Sequence, residues 1–163
     1  MKIVIHDANI LIDLHIAGLL DVFFDLDLES HTTDLVLAEV RNPLTRFTKN
    51  GSLRVKSYGS EELEELVLAQ FRQPRRVSIQ DCSAMLLAQK LEGILLTGDG
   101  NLRHCADLAG ITVRGTLWIL DELVEAKLLT KREAAWLLKK LIEEGRRLPG
   151  EDCNQRLGQW AKG

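Results

Sequence analysis

The sequence predicts an α/β sandwich with a mostly parallel central sheet. Three observations predict it. Short apolar or β-branched runs alternate with longer amphipathic segments. The run at Lys2–His6 reads as a strand buried on both faces, and Ile94–Thr97 as a short buried strand. No internal repeat or interior linker divides the 163 residues, whose length suits one compact domain.

The elements follow in order. Lys2–His6 is the first strand, and Asp7-Ala8-Asn9 leads into an apolar helix from about Ile10 to Leu20. Phe23-Phe24-Asp25-Leu26 closes a turn against that helix, and His31-Thr32-Thr33 forms a second strand. Asp34 reads as the N-cap of a helix carrying Leu35, Val36, Ala38, Glu39 and Val40, limited by Asn42-Pro43. Leu53–Ser57 is extended. Glu61 and Glu62 suit the positive end of a helix running to Arg72. Ser78 opens the next helix, with Asp81 at its third position, and Gly93 ends it. The Ile94–Thr97 strand then delivers the loop Gly98-Asp99-Gly100-Asn101. A short helix (Leu102–Leu108), a strand (Ile111–Arg114) and a helix from Thr116 to Ala126 come next. Thr130-Lys131-Arg132-Glu133 is a capping box for a last long helix ending near Gly145. Beyond Pro149 the residues are polar and read as loosely attached, with Leu157 and Trp160 able to dock. The stripes Trp118-Ile119-Leu120 with Leu123, and Trp136-Leu137 with Leu141, read as core. Any part left exposed is a candidate dimer or partner face.

Composition narrows the class. At 45% hydrophobic and 28% charged, the chain can bury a core and is not disordered. No apolar stretch approaches the ~20 residues of a membrane helix. The start of the chain, where His6 and Asp7 interrupt a brief apolar run, does not read as a signal peptide. Cys82, Cys105 and Cys153 show no zinc spacing and suit reduced thiols in a cytoplasm. A net charge of −3 argues against indiscriminate coating of nucleic acid, though an acidic metal site beside a basic patch gives the same sum.

Chemistry gathers around four acids. Asp7 and Asp99 each follow a strand, and open parallel sheets bind ligands beyond the carboxyl ends of their strands. Asp81 lies in the first turn of the helix leading to the Asp99 strand. Glu39 sits in an otherwise apolar helix, where a carboxylate belongs at the rim of the core or against a partner. Each has a plainer reading: Asp7 as an N-cap, Asp81 in a capping box with Ser78, Asp99 in a glycine turn, Glu39 as a solvated helix position. Joint placement favours one cleft. Four converging carboxylates repel unless a cation joins them. Oxygen donors without thiolates or a His cluster select Mg²⁺ or Mn²⁺ over zinc. Such sites suit phosphodiester hydrolysis.

The chain resembles the PIN-domain nucleases. The resemblance rests on Asp7-Ala8-Asn9-Ile10-Leu11-Ile12, Leu37-Ala38-Glu39-Val40, Asp81-Cys82-Ser83-Ala84 and Leu95-Leu96-Thr97-Gly98-Asp99-Gly100-Asn101, in the family's order. It covers about residues 1–125 as a nuclease core of PIN-like α/β/α type, leaving 126–163 as a C-terminal helical extension of the same domain. It implies that Asp7, Glu39, Asp81 and Asp99 are metal ligands and catalytic residues, with Asn9, Thr97 and Asn101 as polar supports. It further implies a metal-dependent endoribonuclease, similar to the toxins of bacterial toxin–antitoxin pairs. Such toxins are typically homodimers held inactive by an antitoxin protein.

RNA binding is expected first from Arg41, Arg46, Lys49, Arg54 and Lys56, a basic run with no acid among them that follows Glu39. Arg72, Arg75 and Arg76 form a second group before Asp81, and Arg103 with His104 follows Asp99. His6 reads as a packed strand-end residue. A catalytically silent RNA- or protein-binding module on the same fold is the main alternative, and retention of all four acids argues against it. A phosphoacceptor receiver domain would place a Lys after a late strand, where this chain has Gly98-Asp99-Gly100. A Rossmann fold would place a glycine-rich loop after the first strand.

Overall fold

A computed structural model describes residues 1–40 and 44–162. Five strands form one sheet: β1 (Lys2–His6), β2 (Leu28–Thr33), β3 (Leu53–Lys56), β4 (Ile94–Leu96) and β5 (Val113–Arg114). Their order is β3-β2-β1-β4-β5 and every pairing is parallel. Successive side chains leave opposite faces of a strand. Ile5 and Leu95 therefore enter the core on one face, and Val4 and Leu96 the core on the other. The first core is closed by α3 (Asp34–Glu39), α4 (Thr45–Lys49), α5 (Ser60–Phe71), α6 (Ile79–Leu91) and α7 (Gly100–Leu108). The second is closed by α2 (Leu20–Phe23), α8 (Thr116–Glu125), α9 (Lys131–Glu143) and α10 (Gly150–Ala161). α1 (Ala8–Ile16) contributes Ala8 and Leu11 to one core and Ile10 and Leu14 to the other. Sheet order and helices on both faces make this the α/β/α sandwich expected.

Several boundaries differ from the sequence reading, each for a local reason. The helix expected from Ile10 to Leu20 stops at Ile16, because Gly18 takes φ +69° and the Leu19 N–H turns back to the Leu14 carbonyl. Thr33, not Asp34, caps α3: its hydroxyl accepts from the Val36 N–H at 3.1 Å, and Asp34 instead accepts from the Tyr58 N–H. Glu92, not Gly93, adopts the left-handed cap after α6. Gly93 is needed for a different reason, since a Cβ there would meet Ile5 Cδ1 at 2.6 Å. The basic segment after residue 43 is not all loop, because Thr45–Lys49 is helical around a buried Phe47. The expected limit of α3 at Asn42-Pro43 lies outside the described residues.

The largest correction is at the C-terminus. Residues beyond Pro149 form helix α10, packed on α9, and are not loosely attached. Cys153, Leu157 and Trp160 recur at helical spacing on one face. Cys153 and Trp160 are buried, and Arg156 grips the Asp121 carboxylate of α8 at 2.8 Å. All three cysteines are free and buried. Of the apolar stripes, Ile119, Leu120, Leu123, Leu137 and Leu141 are core, whereas Trp136 is 63% exposed. Among the described residues, no helix is long and apolar enough to cross a membrane.

Candidate active site

From β1 the chain winds outward through β2 to β3, then returns to β4 on the opposite side of β1. The crossovers from β1 and β4 diverge, leaving a crevice at the carboxyl ends of those two central strands. Asp7 and Asp99 stand at its two sides. The Asp7 N–H extends the β1–β4 ladder by donating to the Leu96 carbonyl at 3.2 Å.

Each strand-end acid also caps the helix that follows. Asp7 Oδ1 accepts from the Ile10 N–H at 2.8 Å, and Asp99 Oδ1 accepts from the Leu102 N–H at 2.8 Å. The capping reading is thus correct for Asp7, and Asp99, read as a glycine turn, is a cap as well; capping leaves the second oxygen of each carboxylate for other work. Thr97 joins the pair. Its buried hydroxyl donates to Asp7 Oδ2 and accepts from the Asp99 N–H at 3.0 Å. The support expected of Thr97 is therefore a bridge between the two loops.

Asp81 enters from α6. Ser78 caps that helix by accepting from the Asp81 N–H at 3.0 Å, which fixes the acid in the first turn. Burial raises the Asp81 carboxyl above its usual range, and the charges of Asp99 and Glu39 raise it further. Burial pushes Asp7 up to about 7, opposed by its bonds to Thr97 and Ile10 and reinforced by the charges of Asp81 and Asp13. Asp81 is thus electrostatically coupled to Asp7, Asp99 and Glu39. Glu39 is exposed at the end of α3. Among the described residues, no three His, Cys, Asp or Glu side chains converge closely enough to hold one ion between them.

The polar supports separate. Asn9 is exposed and lines a cleft of about 420 Å³ with Asp13, Asp99, Arg146 and Arg147, in front of the fully buried Asp7. Asn101 points elsewhere, donating to the Arg76 carbonyl at 3.1 Å and so tying α7 to the segment before α6. His6 is a packed residue: burial lowers it to about 3, Nε2 meets Ser30 Oγ at 3.2 Å, and its ring lies edge-on to Phe23.

The basic candidates are also divided. Arg46 is paired with Asp21, Arg54 with Glu29 at 2.9 Å, and Lys56 with Glu62 at 2.7 Å. Lys49 is exposed, and Arg41 lies outside the described residues. Arg103 lines a second cleft on the β5 side. One acid escaped the sequence reading. Asp13 is buried in α1, accepts from Thr116 Oγ1 at 2.9 Å and is ion-paired with Arg146. Its signal, an acid among Ile10, Leu11, Ile12 and Leu14, is the same one that singled out Glu39.

A PIN-domain family model, DUF3368, matches residues 3–162. A comparison with curated proteins finds no match. PIN domains are generally nucleases and typically use divalent metals. The match runs without a break through the sheet, the acid-bearing loops and the three C-terminal helices. The chain belongs to the PIN-domain family.

Proposed function

We propose that the protein is an endoribonuclease that hydrolyses RNA phosphodiester bonds with the help of Mg²⁺ or Mn²⁺. The observation that carries this is the Asp7–Thr97–Asp99 bridge across the crevice between β1 and β4, with Asp81 coupled to both sides. The strongest charges acting on Asp7 and Asp81 are other carboxylates, an arrangement that a divalent cation relieves. The donors fit such an ion: all are hard oxygens, and Mg²⁺ commonly takes one or two carboxylates and keeps several waters. One or two of Asp7, Asp81 and Asp99 would hold it directly and the rest through its waters, with Glu39 at the exposed edge. The bound ion would acidify a water and offset charge on the phosphodiester.

The protein's own part is positioning. The Ile10 N–H and the Thr97 hydroxyl fix both oxygens of Asp7, so its carboxylate is set before substrate arrives. Thr97 transmits that placement to the Asp99 loop. Burial of Asp7 behind the cleft keeps bulk water from competing for it. A catalytically silent binding module is the second reading, favoured by the lack of any three converging ligands among the described residues. A toxin role, an antitoxin partner and a homodimer rest on the resemblance alone. One exposed apolar position open to a partner is Trp136, beside the half-buried Val22.

The test is cleavage of single-stranded RNA by protein stripped with EDTA and then supplied with Mg²⁺ or Mn²⁺, beside Asp7→Asn and Asp99→Asn. Metal-restored cleavage that falls by about 10³-fold or more in either variant supports the assignment. Full activity in EDTA, or in either variant, overturns it.

A further inference from the structure

Beside the acid centre, on the β5 side, lies a second cleft of about 280 Å³ that shares Asp13, Gly98 and Arg147 with the first. Its charged lining is Arg103, Arg114, Arg147 and Arg156 against Asp13 and Asp152. Two of these charges are already met. Asp13 is neutralised by Arg146, and Arg156 is held by Asp121. Arg103 and Arg147 make no ion pair among the described residues, and Arg114 donates only to the carbonyl of its neighbour Val113. All three are exposed. The result is a concave surface with an excess of guanidinium groups, opening next to a carboxylate centre.

Two further features fit a polynucleotide there. α8 begins at Gly115 with no side-chain cap and no acid in its first turn, so its positive end adds to the field of the arginines. Trp118, half-buried on the same wall with the Lys2 ammonium 5.8 Å from its ring, adds aromatic surface of the kind that bases pack against. On the β3 side, by contrast, Arg46, Arg54 and Lys56 are each paired with an acid.

We propose that the cleft of Arg103, Arg114, Arg147 and Trp118 is the path of single-stranded RNA, gripping the phosphodiester backbone adjacent to the bond placed at the acids. This rests on the nuclease reading of the acid centre and gives it a substrate track. Arginine supplies planar, paired donors to phosphate oxygens. The track uses the β5 edge and the C-terminal segment in place of the basic run after Glu39.

The experiment measures binding of a fluorescein-labelled single-stranded RNA of about twelve nucleotides by anisotropy, in EDTA, across a salt series. The Arg114→Ala/Arg147→Ala protein should bind at least about tenfold more weakly, with a log–log salt slope shallower by about 1.4, the loss of two phosphate contacts. Arg147→Ala alone should show about half that change in slope. Arg132→Ala/Lys139→Ala, which removes the same charge from exposed positions on α9, should match the intact protein. Melting curves that coincide for all four proteins exclude misfolding as the cause. Unchanged affinity and slope in the cleft variants overturn the proposal, as does failure of the intact protein to bind the RNA. Because no metal is present, cleft-dependent binding without metal-dependent cleavage would sink the nuclease reading and leave the track standing.

Discussion

The two edges of the sheet look alike in sequence and differ in structure. Both carry a run of cations, but α4 delivers Arg46 and Lys49 to the amino end of β3, away from the acids. At the β3 edge each described cation but Lys49 faces an acid: Arg46 to Asp21, Arg54 to Glu29, Lys56 to Glu62. At the β5 edge the acids are fewer, and Arg146 and Arg156 satisfy their own partners while Arg103, Arg114 and Arg147 stay open. A charge run is therefore no guide to a field until its counter-ions are placed. The partners at the β3 edge lie 25 residues away in sequence for Arg46 and Arg54, beyond the reach of any local pattern.

The largest expected effect concerns the acid at the end of the central strand, between the two edges. Asp7 has its carboxyl raised from 3.8 to about 7 by burial. An acid raised in the folded state contributes its full stability below the unfolded value and loses it as pH rises through the folded value. Metal-free Asp7→Asn, which cannot ionise, should match the intact protein near pH 4 and exceed it at pH 8 by up to ~4 kcal/mol, since each pKa unit is worth about 1.4. Urea denaturation at the two pH values measures this. An equal gap at both would deny the burial penalty.

The comparison of edges is put directly by charge reversal. Arg114→Glu/Arg147→Glu should lower RNA cleavage about 100-fold, whereas Arg54→Glu/Lys56→Glu should change it less than about threefold. Equal losses in initial-rate assays would restore the β3 edge as an RNA surface. A smaller effect is expected at the tie between α1 and the C-terminal segment. Arg146→Ala leaves the buried Asp13 without its counter-charge and should cost about 2 kcal/mol of unfolding free energy. Smallest of all is Arg46→Ala, which removes an exposed pair worth less than about 0.5 kcal/mol. A loss there as large as that of Arg146→Ala would mean that exposure does not distinguish the two pairs.

The fold was legible because its signals are local. Period and capping placed β1, β4, α6 and α9, and the Thr130–Glu133 capping box appears with both of its bonds. Asp7 and Asp99 were legible for a related reason: a carboxylate directly after a buried strand must sit at that strand's end. What stayed hidden depends on distant contacts. Thr97 shows only its type in sequence, and its bridge to Asp7 spans 90 residues. Asp13 passes as an interruption of an apolar helix until Thr116 and Arg146 arrive from more than 100 residues downstream. α10 was misread because its polar faces outnumber the single stripe through Cys153 and Trp160.

The pairing of Asp13 with Arg146 also orders events during synthesis. Chains emerge from the ribosome N-terminus first. The strands that carry Asp7 and Asp99 are complete well before Arg146 and Arg147 are made. Until then Arg103 and Arg114 stand beside the acids without Arg147, and Asp13 lacks its counter-charge. The turn at Arg146 and Arg147 then brings the counter-charge of Asp13 and one side of the arginine cleft together. Docking of that segment thus ties down α1 and completes the arginine cleft in one step.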